Sequence, residues 1–259
     1  MSVSRLKSRS KARPRQARAA RPLIRCVIFD LDDTLYDCRG QRVSDCHRYA
    51  AEAMVKAGLR ANVEEVYRAR MRAFRRDPML RYIDPEVAHY FGAENPDAVI
   101  AAAREAYFTC PVRKLRLFPG SLPLLRFLAA CSVKNFIVSF GEPAIQRQKV
   151  AALGLDRESS ITEILYADRT NVLTKEGAFR QIQQQLKLPA AQILVVGDRP
   201  AREIRAGREL SMRTVRIHRG EFRSQMPVGP EEEPDFVVKD ISEVKKLPFR
   251  WGADARGKK

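Results

Sequence analysis

Histidine and cysteine are sparse in this chain, and neither is spaced to hold a metal. The three histidines, His47, His89 and His218, stand far apart. The five cysteines, Cys26, Cys38, Cys46, Cys110 and Cys131, form an odd set without the paired spacings of a zinc site or a disulfide framework. A Cys/His metal centre and a disulfide-stapled module are not expected, and the cysteine usage points to a reducing, cytoplasmic compartment. Apolar runs are short; none nears the roughly 20 residues that cross a bilayer, so no membrane helix is expected. No segment repeats another, and acidic residues are missing altogether from the first 22 positions.

What is there is ordinary for a folded chain: 259 residues, 45% hydrophobic and 31% charged. That length supports one substantial core and a smaller accessory unit. The formal net charge of +17 is concentrated at the front, where Arg5, Lys7, Arg9, Lys11, Arg13, Arg15, Arg18 and Arg21 repel one another with no apolar periodicity between them. Residues 1–22 therefore read as a flexible basic arm outside the fold. Such an arm can contact nucleic acid by counterion release, and its Arg-rich, acid-free composition also matches an organelle transit peptide. The lack of interleaved aromatics for base stacking favours a solvated tail.

After the arm, Leu23 to Phe29 is a short Ile/Val-bearing run that ends in carboxylates, as a buried parallel strand does when its carboxyl end faces a site. From about Val43 to Phe108 the texture is helical, punctuated by Asp77-Pro78, Asp84-Pro85 and Asn95-Pro96 as turns or caps between short helices. Its arginines Arg68, Arg70, Arg72, Arg75, Arg76 and Arg81 read as a solvated helix face. Beyond Phe118-Pro119-Gly120, strands at 136–139, 161–166, 193–196, 214–218 and 236–238 alternate with helices such as 144–153 and 177–186. The fold class this predicts is α/β, a doubly wound, Rossmann-like parallel sheet with a small helical accessory domain. Residues 23–37 and 116–248 form the core, 38–115 the helical insert, and 249–259 a flexible tail.

In such a sheet ligands gather where strands end, at the topological switch point. Four polar islands follow strands. Asp30-Leu31-Asp32-Asp33-Thr34 puts two carboxylates on one side of an extended chain, where like charges demand either proton sharing or a divalent cation. Ser139-Phe140-Gly141 offers a hydroxyl and backbone N–H groups to an oxyanion. Lys175 precedes a helix, and Gly197-Asp198 is followed by Glu203 one helical turn and a little later. Together they supply a nucleophile, an acid, an oxyanion clamp, a cation and hard oxygen ligands. Phosphoryl transfer to a carboxylate needs all five, because a dianionic ester about 4 Å from an anionic nucleophile is repelled by several kcal/mol.

This pattern resembles the haloacid dehalogenase superfamily, in its phosphatase branch with a helical cap of the C1 type, over nearly everything from Cys26 to Val244. The carriers are Phe29-Asp30-Leu31-Asp32-Asp33-Thr34-Leu35-Tyr36, Leu117-Phe118-Pro119-Gly120 with Leu124-Leu125, and Val196-Gly197-Asp198 with Ala206-Gly207 and Met212. The resemblance implies that Asp30 attacks phosphorus and that Asp32 protonates the leaving alcohol and later activates water. It implies Mg2+ on the Asp30 carboxylate, the Asp32 backbone carbonyl and Asp198, a phosphoryl group held by Ser139, the Phe140 backbone and Lys175, and Thr34 supporting Asp32. Glu203 would reach the metal through water or orient Lys175. Phe140 and Glu203 depart from the usual residues, and Lys149 is a rival for Lys175. The implied substrate is a small phosphorylated metabolite, such as a nucleoside monophosphate or a sugar or glycolate phosphate, with residues 38–115 as the cap that selects it. The alternatives are a catalytically silent binding protein whose basic arm holds an acidic partner, and a phosphomutase.

Overall fold

The structure, a computed structural model, describes residues 21–76, 80–168 and 173–252. The basic arm up to residue 20, and with it the expected nucleic-acid contact or transit role, lies outside the described residues, as do Asp77-Pro78 and residues 253–259. Six parallel strands form the main sheet: β2 (Cys26–Phe29), β3 (Lys134–Phe140), β4 (Glu163–Ala167), β5 (Ile193–Gly197), β6 (Arg213–Ile217) and β7 (Phe236–Val238), in spatial order β4-β3-β2-β5-β6-β7. Their near-continuous apolar runs are explained by helices on both faces. Val27, Phe29, Ile137, Leu194 and Val196 enter one apolar cluster, while Cys26, Ile28, Phe136, Val138, Ile193 and Val195 enter the other. The chain steps outward from β2 to β3 and β4, then returns to the far side of β2 for β5, β6 and β7. That reversal opens a crevice at the carboxyl end of β2.

The run at Leu23–Phe29 is not one strand. Arg25 is exposed and interrupts it, so β1 (Leu23–Ile24) leaves the main sheet and pairs in parallel with β8 (Arg250–Trp251). The last described residues are therefore not loose, as their polar composition suggested. The Arg250 N–H donates to the Pro22 carbonyl and the Gly252 N–H to that of Ile24, while the Phe249 ring packs edge-on between Phe236 and Trp251. Backbone pairing and one aromatic anchor override composition there.

Between β2 and the core helix α5 (Ser121–Ala130) lie α1 (Ser44–Lys56), α2 (Val63–Arg76), α3 (Leu80–Tyr90) and α4 (Pro96–Thr109), with α1 packed on both α2 and α4. Asn95 caps α4 by accepting the Ala98 N–H, and Pro96 follows in the first turn. Asp84-Pro85, by contrast, does not separate helices: α3 runs through it. Asp84 instead turns inward to Arg70, which is fully buried rather than part of a solvated face. Arg70 falls on the same stripe as Val66, Ala73 and Phe74, so it enters the packed face and needs a carboxylate there. Arg68, Arg72, Arg75 and Arg76 are exposed, and the Arg81 side chain lies outside what is described.

Beside this pair His47 is completely buried between the rings of Phe74 and Tyr107, and neither of its ring nitrogens has a hydrogen-bond partner. Burial, helped by the Arg70 charge, pushes its pKa down to about 3. An unfolded chain protonates this histidine below about 6.5 while the folded one does not, so stability falls as pH drops through that window. We expect His47→Leu to flatten the pH dependence of urea unfolding between pH 6.5 and 5 by on the order of 1–2 kcal/mol relative to the wild type. Parallel pH curves for the two proteins would remove the buried neutral imidazole from this account.

Candidate active site

The crevice has a volume of about 650 Å³ and is lined by Asp30, Asp32, Asp198, Glu203 and Lys149, with Arg42, Val43, Cys46, Tyr107 and Phe108 of the helical insert forming its upper wall. Asp30 prolongs β2, its N–H donating to the Val196 carbonyl of β5. Asp198 directly follows β5, so adjacent parallel strands deliver both carboxylates to the same floor. Buried carboxylates need partners. Thr34 Oγ1 donates to Asp30 Oδ2 at 3.3 Å, and the Lys175 ammonium contacts Asp30 Oδ1, the Val138 carbonyl and, at 3.0 Å, Glu203 Oε1. Thr34 thus supports Asp30, not Asp32 as anticipated, because the turn 31–35 brings the residue four along back over the strand end.

Lys175 is the first residue of α7 (Lys175–Leu186), a place where the helix dipole disfavours a cation. Thr174 caps that helix end by accepting the Gly177 N–H. Lys175 is 5% exposed, and its ammonium is held by the two carboxylates, which outweigh the dipole. Glu203 reaches it from a short π-helical turn, Pro200–Ile204, with its side chain lying over the end of β5. Gly197 makes this approach feasible: a Cβ there would lie 2.6 Å from both Cβ and Cγ of Glu203.

Two carboxylates, Asp30 and Glu203, therefore hold one ammonium, with Asp198 beside them on the same floor. Burial first, then the neighbouring acids, pushes Asp30 up to about 7 and Asp198 well above the usual carboxylate range. Glu203 Oε2 is buried without a hydrogen-bond partner. This surplus of hard, poorly satisfied oxygen is what a divalent cation would relieve. Among the described residues no group of three or more His, Cys, Asp and Glu side chains is arranged as a ready-made metal cage. An ion here would rest on two carboxylates and backbone oxygen, the sparse protein shell that suits magnesium.

Asp32 is held differently. Its carboxylate accepts from Lys149 Nζ at 2.8 and 3.0 Å and from the Tyr36 hydroxyl at 2.7 Å. Burial would raise its pKa, but Lys149 and Tyr36 together hold it below the ordinary value. Lys149 belongs to α6 (Pro143–Ala152), so both candidate lysines enter the site, one for each aspartate. Asp33 adopts a left-handed conformation and accepts the N–H groups of Arg39 and Glu221, both at 3.0 Å, tying the entrance of the insert to the loop after β6. Ser139 is less exposed than the sequence suggested: it does not line the crevice, and its hydroxyl donates to Gln146 Oε1 at 2.8 Å. Gln146 also donates to the Phe140 carbonyl, and the Phe140 ring lies under the Arg202 guanidinium, 3.9 Å from its centroid.

Tyr36, Gln146 and Arg42 are site residues missed as such by the sequence reading, and Lys149, weighed there only as a rival for Lys175, is a second site lysine. Tyr36 stands in the first motif itself, and Gln146 and Lys149 lie one helical turn apart on the buried side of α6, a spacing that gives the only signal for them. We expect Gly197→Ala to cost about 1–3 kcal/mol in urea unfolding, because a methyl forced against Glu203 must displace it from Lys175. An unchanged unfolding midpoint would show that the Glu203 turn is not fixed by this contact.

A sequence model of haloacid dehalogenase-like hydrolases matches residues 24–210. A glyceraldehyde 3-phosphate phosphatase from Methanopyrus kandleri is 29% identical over 230 residues, 83% of this chain and 93% of that protein. Among solved structures, a predicted phosphoglycolate phosphatase from Haemophilus somnus superposes with a TM-score of 0.61 at 19% identity, covering 86% of this chain and 97% of the other. The HAD-hydrolase YfnB from Bacillus subtilis bound to magnesium gives 0.60 at 17% identity, over 87% and 99%. These two structures are similar in fold.

Proposed function

The chain belongs to the haloacid dehalogenase-like hydrolases and is a phosphate monoester hydrolase; from that premise we propose that it hydrolyses a small phosphorylated metabolite with magnesium, through an aspartyl-phosphate at Asp30. The observation that carries this reading is the placement of Asp30, buried at the end of the central strand with one oxygen bonded by Thr34 and the other by Lys175, beside Asp198. Asp30, Asp198 and the Asp32 carbonyl would hold the ion, which supplies positive charge against the phosphoryl oxygens and the nucleophile when bound.

The chain's own groups account for the rest. Thr34 and Lys175 fix the carboxylate, so that its free lone pairs address phosphorus along the crevice. Asp32 takes up a proton from solvent as the bound ester draws Lys149 away from it; as the Asp30–phosphorus bond forms, the ester P–O bond breaks and the leaving oxygen takes that proton. Asp32 then takes a proton from water, whose oxygen attacks phosphorus and releases phosphate and the Asp30 carboxylate. Tyr36 and Lys149 hold Asp32 at the mouth of the floor, where both proton transfers occur. The helical insert serves as the cap, with Val43, Cys46, Tyr107 and Phe108 closing over the leaving group. The relatives named as glyceraldehyde 3-phosphate phosphatases favour a three-carbon phosphate over a larger substrate. No helix among the described residues is long and apolar enough to cross a membrane.

We expect release of phosphate from p-nitrophenyl phosphate to require magnesium, to vanish with chelator and return on readdition, and to fall at least about 10³-fold in Asp30→Asn. Turnover that is indifferent to magnesium, or that survives in Asp30→Asn, rules the mechanism out. Retention of phosphate on a second position of a sugar phosphate would instead indicate a mutase.

A further inference from the structure

Three arginines are buried among the described residues: Arg42, Arg70 and Arg216. Arg70 has Asp84, and Arg216 interacts with Asp198 while donating to three backbone carbonyls. Arg42 has no carboxylate partner among the described residues. It is 6% exposed, and its guanidinium donates to the carbonyls of Cys110 and Pro111, at 2.6 and 3.5 Å. Its electrostatic neighbours are the thiols of Cys38, Cys46 and Cys110. Burial pushes Cys46 up to about 12 and Cys38 well above its ordinary value, so neither supplies a thiolate. It lies close enough to a second cation, Lys149, to weaken that lysine's hold on its proton, and Lys149 is already committed to Asp32.

The guanidinium keeps its charge, met by neutral carbonyls and thiols and by no described carboxylate. Arg42 lines the crevice, on the turn that leads from the first motif into the helical insert, on the wall above Asp32. The two carbonyls orient the guanidinium without neutralising it, as a recognition group is oriented. Resting on the phosphatase reading above, we infer that Arg42 is the specificity-determining residue for a second anionic group on the leaving alcohol, either a carboxylate or a further phosphate. An uncharged leaving group would leave it without a counter-charge.

The test compares kcat/KM for matched esters: 3-phosphoglycerate against glycerol 3-phosphate for the carboxylate, and 1,3-propanediol bisphosphate against 3-hydroxypropyl phosphate for the second phosphate. The wild type should favour the doubly anionic member at least tenfold in one pair, and that pair identifies the group. In Arg42→Met the ratio should fall at least tenfold, with partial recovery in Arg42→Lys. Calorimetry on Asp30→Asn should show the same preference as binding, lost in the Asp30→Asn/Arg42→Met double variant, and this reads the site even if no ester is turned over. A wild-type ratio near one in both pairs overturns the inference. So does an Arg42→Met variant in which both esters suffer equally, which would make Arg42 only a brace for the 110–111 carbonyls. Failure of all hydrolysis with preserved selective binding would instead sink the phosphatase mechanism and leave Arg42 as the anion reader.

Discussion

The geometry of this protein turns on one ammonium, Lys175, held between Asp30 and Glu203, with Asp198 close by. Two unit charges about 4 Å apart interact by about 4 kcal/mol at an effective dielectric near 20, so three carboxylates on one floor cannot coexist without compensation. One lysine offsets part of that repulsion and leaves the remainder standing. The fold is arranged to keep this tension in place. Asp30 and Asp198 arrive on neighbouring strands, Lys175 on the first turn of a helix, and Glu203 on a turn that can fold back only because position 197 is glycine.

The sheet makes the tension affordable. Val27, Ile28 and Phe29 are wholly buried, and each face of the strand feeds a different apolar cluster. Full burial of one such side chain contributes about 1.5–3 kcal/mol. Strain gathered at the carboxyl end of β2 is thus opposed by apolar packing along its whole length. The same logic holds in the helical insert, where His47, Arg70 and Asp84 leave several polar atoms unpaired inside a shell of Met54, Val66, Phe74 and Val87.

Legibility in the sequence followed the kind of constraint involved. Asp30, Asp198 and Lys175 could be picked out because parallel strands put successive strand ends in one place, so position along the chain stands for position in space. The helical insert was visible through its periodicity. The placement of individual polar side chains was not: Arg70 and Arg42 look like any other arginines of a basic chain, and only the packed face of α2 and the turn before α1 reveal that they are buried. Lys149 seemed the weaker of two lysines because it sits within a helix, yet that helix aims it at Asp32. The β1–β8 pairing depends on backbone N–H and carbonyl groups that every residue carries, so composition could not announce it.

Lys149 also bears on how the two aspartates divide their work. Asp30 and Asp32 stand two residues apart, yet burial and acid neighbours push the first upward while Lys149 and Tyr36 hold the second down. In the free site these shifts run opposite to the proposed roles of nucleophile and acid, so bound charge must reverse them: a divalent cation on Asp30 would favour its ionised form. In the proposed reaction a dianionic ester in the crevice competes with Asp32 for Lys149, and each contact it takes over loosens the hold that keeps Asp32 ionised. The charge that binds the substrate is then the same charge that sets the readiness of the acid, so recognition of the phosphoryl group and delivery of the proton to its leaving oxygen need not be tuned by separate residues.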